Sequence, residues 1–311
     1  MRLNPIVKKD IKVQARSMRI CWGVFAYELI LALVFFLAMS MIQQERRYTD
    51  GNLYASMVWL YPVLGVTQLV ILGVVVPVRT ASSISGEKER QTFDIMMTTG
   101  MTPFSVIMGK VMTAVVQSML FVVASMPVMA LPFIIGGMSW SYLLWFLLVA
   151  VLVSFFTASI GIFCSSFCKR TISAVILSFG FYVVFFLGTL LPFILSALFG
   201  MNSSYYSTTG YGVIENMYLF WLLNPAVYLC EFYARIMAGG SVMSELVSLT
   251  GTTQVHGPIR YVVTGNRWLI LSTLLFLTVS FLLLWLAARR IDPIRKRVEK
   301  RGRKKVSDQG D

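Results

Sequence analysis

The chain has 311 residues, of which 57% are hydrophobic and 13% charged, and its mean hydropathy is +0.74. A water-soluble domain carries about a quarter charged residues, so this composition excludes a soluble globular fold and describes a chain solvated mainly by lipid. The net charge of +13, from 27 Lys+Arg against 14 Asp+Glu, marks the cytoplasmic side of a membrane chain rather than a nucleic-acid partner.

Taken in chain order, the first residues place Leu3, Val7, Ile11, Ala15 and Met18 at helical spacing among basic residues. That pattern predicts an N-terminal amphipathic helix on the inner leaflet, with a plain basic tail as the alternative. It is not read as a cleavable signal, because the apolar run behind it is too long and no small-residue cleavage pattern follows. Apolar runs then predict six transmembrane helices at about residues 22–42, 55–78, 106–135, 142–164, 172–199 and 268–288, each near the ~20 residues that a crossing needs. Pro127 and Pro132 are expected to kink or end the third, and Gly136-Gly137 to turn the chain outside. The result is an all-α, polytopic membrane protein, with residues 1–288 as a single transmembrane domain and 289–311 as a basic cytoplasmic tail.

Orientation follows from Lys and Arg. Of the 27, 22 fall in the N-terminal segment, the segment between spans two and three together with Lys110 at the foot of span three, the turn after span four and the tail, so both termini are expected in the cytoplasm. The stretch 217–237, MYLFWLLNPAVYLCEFYARIM, could be a seventh span. Asn224-Pro225 breaks it, Glu231 and Arg235 charge its end, and an odd count would move the basic tail outside. It reads instead as a pair of re-entrant or interfacial helices within a long outer segment, 200–266, and Asn224 and Pro225 are candidate outer-gate residues.

Between spans two and three, Arg79 to Ser105 interposes a segment whose charges alternate: Arg79, Glu87, Lys88, Glu89, Arg90 and Asp94. A nonspecific lipid-binding patch would be basic, and this one is near neutral. From Glu87 onward the sequence predicts a short cytoplasmic helix with acids in its first turn and Thr98, Thr99 and Gly100 at its end. Phe93, Met96 and Met97 then fall at i, i+3 and i+4, a small apolar face suited to a groove on another protein.

The run Ile84-Ser85-Gly86-Glu87-Lys88-Glu89-Arg90-Gln91-Thr92, followed by Thr98-Thr99, Pro103 and Gly109-Lys110, resembles the signature of type-2 ABC transporter permeases. In that family such a segment forms the coupling helix that sits on the ATPase subunit. The resemblance implies ATPase-coupling roles for Gly86, Glu87, Glu89, Arg90, Thr92, Phe93, Met96 and Met97. It also implies a multi-pass permease subunit in the plasma membrane, most simply an exporter. Its partners would be a second permease subunit, identical or paralogous, and two copies of an ABC ATPase that bind ATP and Mg. The sequence departs from the pattern at Gly100-Met101-Thr102-Pro103, where a proline often follows the Thr pair directly, and in its longer outer segment. The chain has no P-loop: Gly109-Lys110-Val111 has Phe104 where the first Gly belongs and Val where the magnesium-binding hydroxyl belongs. The chain is therefore expected to be no enzyme and to bind no cofactor itself.

Within the spans, Glu28 is either a pathway residue or a carboxyl protonated or paired near the inner interface. Gln68 and Gln117 are either pathway residues or interhelical hydrogen-bonding contacts. No metal site is expected, since one histidine, His256, and four cysteines, Cys21, Cys164, Cys168 and Cys230, supply too few ligands. No disulfide is expected either. The alternative function is a stand-alone channel or secondary transporter, which would call for more ionisable residues in the spans or an internal repeat.

Overall fold

The computed structural model describes residues 17–45, 57–93, 102–200, 218–238, 240–241 and 267–291. Among them the regular elements are all helical: α1 (Met18–Glu45), α2 (Leu60–Glu89), α3 (Pro103–Ala124), α4 (Met126–Gly136), α5 (Ser141–Phe167), α6 (Thr171–Gly200), a 3₁₀ helix (Tyr218–Leu223), α7 (Pro225–Ala238) and α8 (Arg267–Ile291). Five of these, α1, α2, α3, α5 and α8, are long and apolar enough to cross a bilayer. The apolar part of α6 is described over Thr171–Phe185, and its backbone continues as helix to Gly200. The amphipathic N-terminal pattern up to Arg16, the Tyr/Ser/Thr part of the outer segment, His256 and residues 292–311 lie outside the described residues.

At the centre is α5, which packs on α2, α8, α3 and α6. Its sequence explains why. Ser154, Thr157, Ala158, Ser159, Gly161, Ser165 and Ser166 are buried, and small residues let helix backbones approach closely in a membrane, where no hydrophobic force drives association. A Cβ on Gly161 would lie 1.9 Å from Thr80 Oγ1 of α2, so only glycine fits this crossing. One turn further on, Ser165 Oγ accepts from the backbone N–H groups of Ile84 and Ser85, at 3.1 and 2.9 Å. By contrast α1 packs mainly on α2 and α3 among the described residues, and exposes Trp22, Phe25, Leu29, Leu33 and Phe36.

Two expected elements are corrected. The third span is not one helix: it breaks at Ser125 into α3 and α4, because Pro127 has no N–H to give to the carbonyl of Val123 four residues back. Gln68 bridges the break, its Nε2 donating to Ser125 Oγ at 2.8 Å. The second correction concerns the charged run. The second span does not stop at Val78; α2 continues as helix to Glu89, and Glu87 to Glu89 form its last turn rather than the first turn of a new helix. Nothing in Arg79 to Glu89 breaks a helix, since its only glycine, Gly86, is followed by the good helix formers Glu87, Lys88 and Glu89. What ends α2 is a Schellman turn: Thr92 N–H donates to Glu87 O at 3.0 Å and Gln91 N–H to Lys88 O at 3.2 Å, with Gln91 at φ 58°.

The 217–237 stretch divides where the sequence places its break. The 3₁₀ helix ends at Leu223, buried Asn224 caps α7 by accepting from Ala226 N–H at 2.9 Å, and Pro225 occupies the first helical position, where its missing N–H costs nothing. This pair packs at the end of the bundle opposite the charged run. Ser272 Oγ of α8 donates to Leu222 O at 2.7 Å, and Tyr233 packs edge-on against Tyr61 near the start of α2, with centroids 5.3 Å apart. Buried Glu231 accepts from Arg235 Nε at 2.6 Å and Ser241 Oγ at 2.8 Å, so its charge is compensated within its own element.

Candidate functional site

The end of α2 that carries Glu87, Lys88 and Glu89 meets the ends of three other helices on the same side of the bundle. Consecutive residues of a helix point about 100° apart, so three neighbours can serve three different partners. Glu87 points to α3, where its Oε1 accepts from Lys110 Nζ at 2.7 Å. Lys110 is 7% exposed and Glu87 30%. The same ammonium donates to Ser83 O at 2.8 Å, so the one cation inside the apolar run of α3 is held from α2 by two oxygens.

Lys88 points to the end of α5. Its ammonium donates to Ser166 O at 2.5 Å and to Ser165 O and Cys168 O at 3.3 Å each. The last carbonyls of a helix have no intrahelical partner and carry the negative end of its dipole, so a lysine supplied from another helix satisfies both needs. Glu89 does the converse for α6. Its Oε1 accepts from Thr171 N–H and its Oε2 from Thr171 Oγ1, both at 2.8 Å, which caps the positive N-terminus of that helix from outside. Two acids at the C-terminal end of α2 oppose its own dipole. Lys110 and the start of α6 offset that cost.

The remaining coupling candidates fall around this clamp. Gly86 leaves room for a Cβ, which would lie 3.8 Å from Thr171 Oγ1, so crowding does not demand glycine there. Exposed Arg90 is the C-cap of α2, and Thr92 closes the Schellman turn with its N–H. Phe93 packs partly buried against the hydrophobic core. Met96 and Met97 lie outside the described residues, and with them the expected coupling helix from Asp94 onward. The chain resumes at Thr102, whose side chain caps α3 by accepting from Ser105 N–H at 3.3 Å.

The pathway candidates share no hydrogen bond with one another among the described residues. Gln68 is fully buried and its Nε2 is engaged at the α3–α4 break. Glu28 has its Oε1 buried without a hydrogen-bond partner among the described residues. Gln117 accepts from Arg79 Nη1 at 3.3 Å, and the Arg79 guanidinium lies 5.4 Å from the centroid of the Phe121 ring. Asn224 and Pro225 belong to the cap of α7 at the other end. No group of three or more His, Cys, Asp or Glu that could hold a metal occurs among the described residues, and the four cysteines are free thiols.

Sequence reasoning weighed Glu87 and Glu89 but missed Lys88, Lys110, Thr171 and the carbonyls of Ser165, Ser166 and Cys168. Lys110 gave a signal, as a lone cation within an otherwise apolar run that needs an anionic partner. The backbone partners of Lys88 gave none.

Such a clamp joins the end of one membrane helix to three others, directly before the turn that leads to Phe93. No curated protein matches the chain in sequence. The sequence profile of the ABC-2 family transporter proteins matches residues 51–289, from before α2 to the last turns of α8. That match favours a multi-pass membrane permease over a stand-alone channel or secondary transporter, in a family whose membrane subunits are not themselves ATPases and whose membership implies an ABC ATPase partner. The chain belongs to the ABC-2 transporter family, as a type-2 ABC transporter permease.

Proposed function

We propose that this permease subunit forms the substrate pathway of an ATP-driven exporter in the plasma membrane, as half of a permease dimer carried by two copies of a separate ABC ATPase. ATP and Mg would be held by those partners. In this reading α6 supplies a sixth crossing, both termini face the cytoplasm, and the turn from Arg90 through Met97 is the seat of the ATPase. The observation that carries it is the clamp. Force applied at Phe93 enters α2 through a hydrogen-bonded turn and reaches α3 through Glu87–Lys110, α5 through Lys88 and α6 through Glu89 within one helical turn. Four inner helix ends then move as a unit, as a rigid-body change of access requires.

The test is affinity capture of the tagged chain in mild detergent, with identification of its partners and an ATPase assay on the eluate. An ATPase subunit is expected to co-purify and to be lost from a Phe93→Ala/Glu89→Ala variant that still elutes as a folded protein. A chain that purifies without an ATPase under several gentle conditions, or a partner retained undiminished by that variant, would overturn the reading.

A further inference from the structure

At the end of the bundle opposite the clamp, faces of α5, α7 and α8 enclose an open groove of about 640 Å³. To its lining α5 contributes Trp145, Leu148 and Leu152, α8 Ile270 and Leu274, and α7 Phe232. The α5 residues recur at three- and four-residue spacing and so lie on one face of that helix. With Tyr142 they run ten residues along α5, about 15 Å of helix. That is half of the ~30 Å hydrocarbon thickness of a bilayer, the depth of one leaflet. Both α5 and α8 are long and apolar enough to cross a bilayer.

The residue types in the lining say what covers it. Where α5 packs closely on another helix it does so through small residues, Gly161 against Thr80 and Ser165 against the backbone of Ile84 and Ser85, as helix contacts in a membrane require. Around the groove it presents Trp145 and Leu148 instead, and α8 presents Ile270 and Leu274, all four more than half exposed. Large side chains around a hollow do not make a seat for a further helix, so neither a second copy nor another membrane subunit is the fitting occupant. Water is no better suited, because it needs two or more polar partners.

The polar groups of the groove are already engaged. Thr273 Oγ1 donates to Leu269 O at 2.7 Å, so in the pair with Tyr228, 3.2 Å apart, the Tyr228 hydroxyl is the donor. The charge of Arg235 is compensated by Glu231, four residues back. Neither the hydroxyls nor the cation is left to select a polar or charged ligand. From this geometry we infer that the groove holds one acyl chain of a membrane glycerophospholipid, lying along α5 between α7 and α8, whatever headgroup that lipid carries. Close packing holds the chain there and not the hydrophobic effect, since it leaves one hydrocarbon surrounding for another. The site goes beyond the permease reading, and requires only that α5 and α8 cross the bilayer.

The experiment is photolabelling of the full chain in phosphatidylcholine nanodiscs that contain a small fraction of phosphatidylcholine or phosphatidylglycerol with a diazirine in the middle of one acyl chain, followed by digestion and mass spectrometry. Phe232 is the reporter: it is 6% exposed and lines the groove, so a chain that labels it has entered. Both probes are expected to label Phe232 and Leu148 to the same extent. Leu148→Trp, whose ring fills the groove, should abolish the label at Phe232. Val183→Trp makes the same change at an exposed position of α6 outside the groove and should leave that label unchanged. Each variant is first shown to unfold near the wild-type temperature in neutral detergent; if Leu148→Trp does not fold, Ile270→Trp fills the groove from α8 and carries the test. Labelling of exposed Leu144 without Phe232, a Phe232 label that survives in the folded filling variant, or one made by phosphatidylglycerol alone would overturn the inference. So would a label found in the monomeric fraction and lost from the dimer, which would assign the groove to a second copy.

Discussion

The two ends of the helix bundle are held by different forces. At the end that the proposed orientation places inside, α2 meets its neighbours through Glu87, Lys88 and Glu89, and each contact is a charge on a counter-charge or on a helix terminus. At the outer end, the start of α2 meets them through rings: Tyr61 packs edge-on against Phe133, Phe146 and Tyr233, with centroids 5.0 to 6.5 Å apart. Aromatic packing depends on close shape fit and fails steeply when displaced. Charge on helix ends is long-ranged and tolerates small shifts. An end that must transmit movement is better built the second way, and an end that must stay closed against it the first.

The comparison is broken most directly at Glu87–Lys110. Glu87→Leu leaves the Lys110 ammonium in a 7% exposed position with only Ser83 O to accept from it. Uncompensated buried charge is expensive, and because Glu87 itself is part-exposed the cost falls at the low end of the range for such pairs, about 3 kcal/mol. The double variant Glu87→Leu/Lys110→Met removes both charges and should recover at least half of that loss. Reversible unfolding in mixed micelles gives both values. A double variant as unstable as the single one would mean that the pair acts through packing, and the inner end would then resemble the outer.

How much of this was legible in the sequence differs between the two ends for the same physical reason. The outer break was readable because Asn and Pro act locally: Asn224 caps and Pro225 starts a helix through bonds within three residues. The inner end was misread because the same tripeptide fits either end of a helix, and acids at positions 87 and 89 suggest a first turn when only their own segment is in view. Their true partners, Lys110 and Thr171, lie 23 and 82 residues away. Only the tertiary arrangement shows that the opposing dipole of α2 is offset by the start of α6. The hydrophobic runs gave the helices, and Pro127 marked the third run for a kink or an end; the structure puts the break two residues earlier, at Ser125, where the missing N–H of Pro127 is felt.

At the outer end the corresponding test is steric. A Cβ on Gly65 would lie 1.8 Å from Tyr233 Oη and 2.8 Å from its Cζ, so Gly65→Ala must displace the Tyr233 ring from the start of α2. Overpacking of this kind costs about 1–3 kcal/mol. Shortening the ring should relieve it, and Gly65→Ala/Tyr233→Val is expected to unfold at a higher temperature than Gly65→Ala. If Gly65→Ala costs nothing, α7 is not seated on α2 as rigidly as the aromatic contacts imply.

The smallest effect sharpens the comparison furthest, because it separates the two helix ends that the clamp serves. Lys88→Met removes the donor from the last carbonyls of α5 and leaves Glu89 in place, whereas Glu89→Gln weakens the cap of α6 and leaves Lys88. A cation near a helix C-terminus contributes about 0.3–1 kcal/mol, and Lys88 is part-exposed, so Lys88→Met should lower stability by no more than about 1 kcal/mol. The informative readout is local. Lys88→Met should speed amide exchange at the last turn of α5, including the Cys168 N–H that bonds to Cys164 O at 3.2 Å. Glu89→Gln should speed it at Thr171, whose N–H is the donor in the cap. Lys88→Arg should restore the first without touching the second, because the guanidinium remains a donor of the same charge. If either substitution loosens both helix ends equally, the tripeptide holds its neighbours through one shared packing contact. If each loosens its own, α5 and α6 are gripped independently, and a single push on the turn after Arg90 is divided between them by two adjacent side chains of opposite charge.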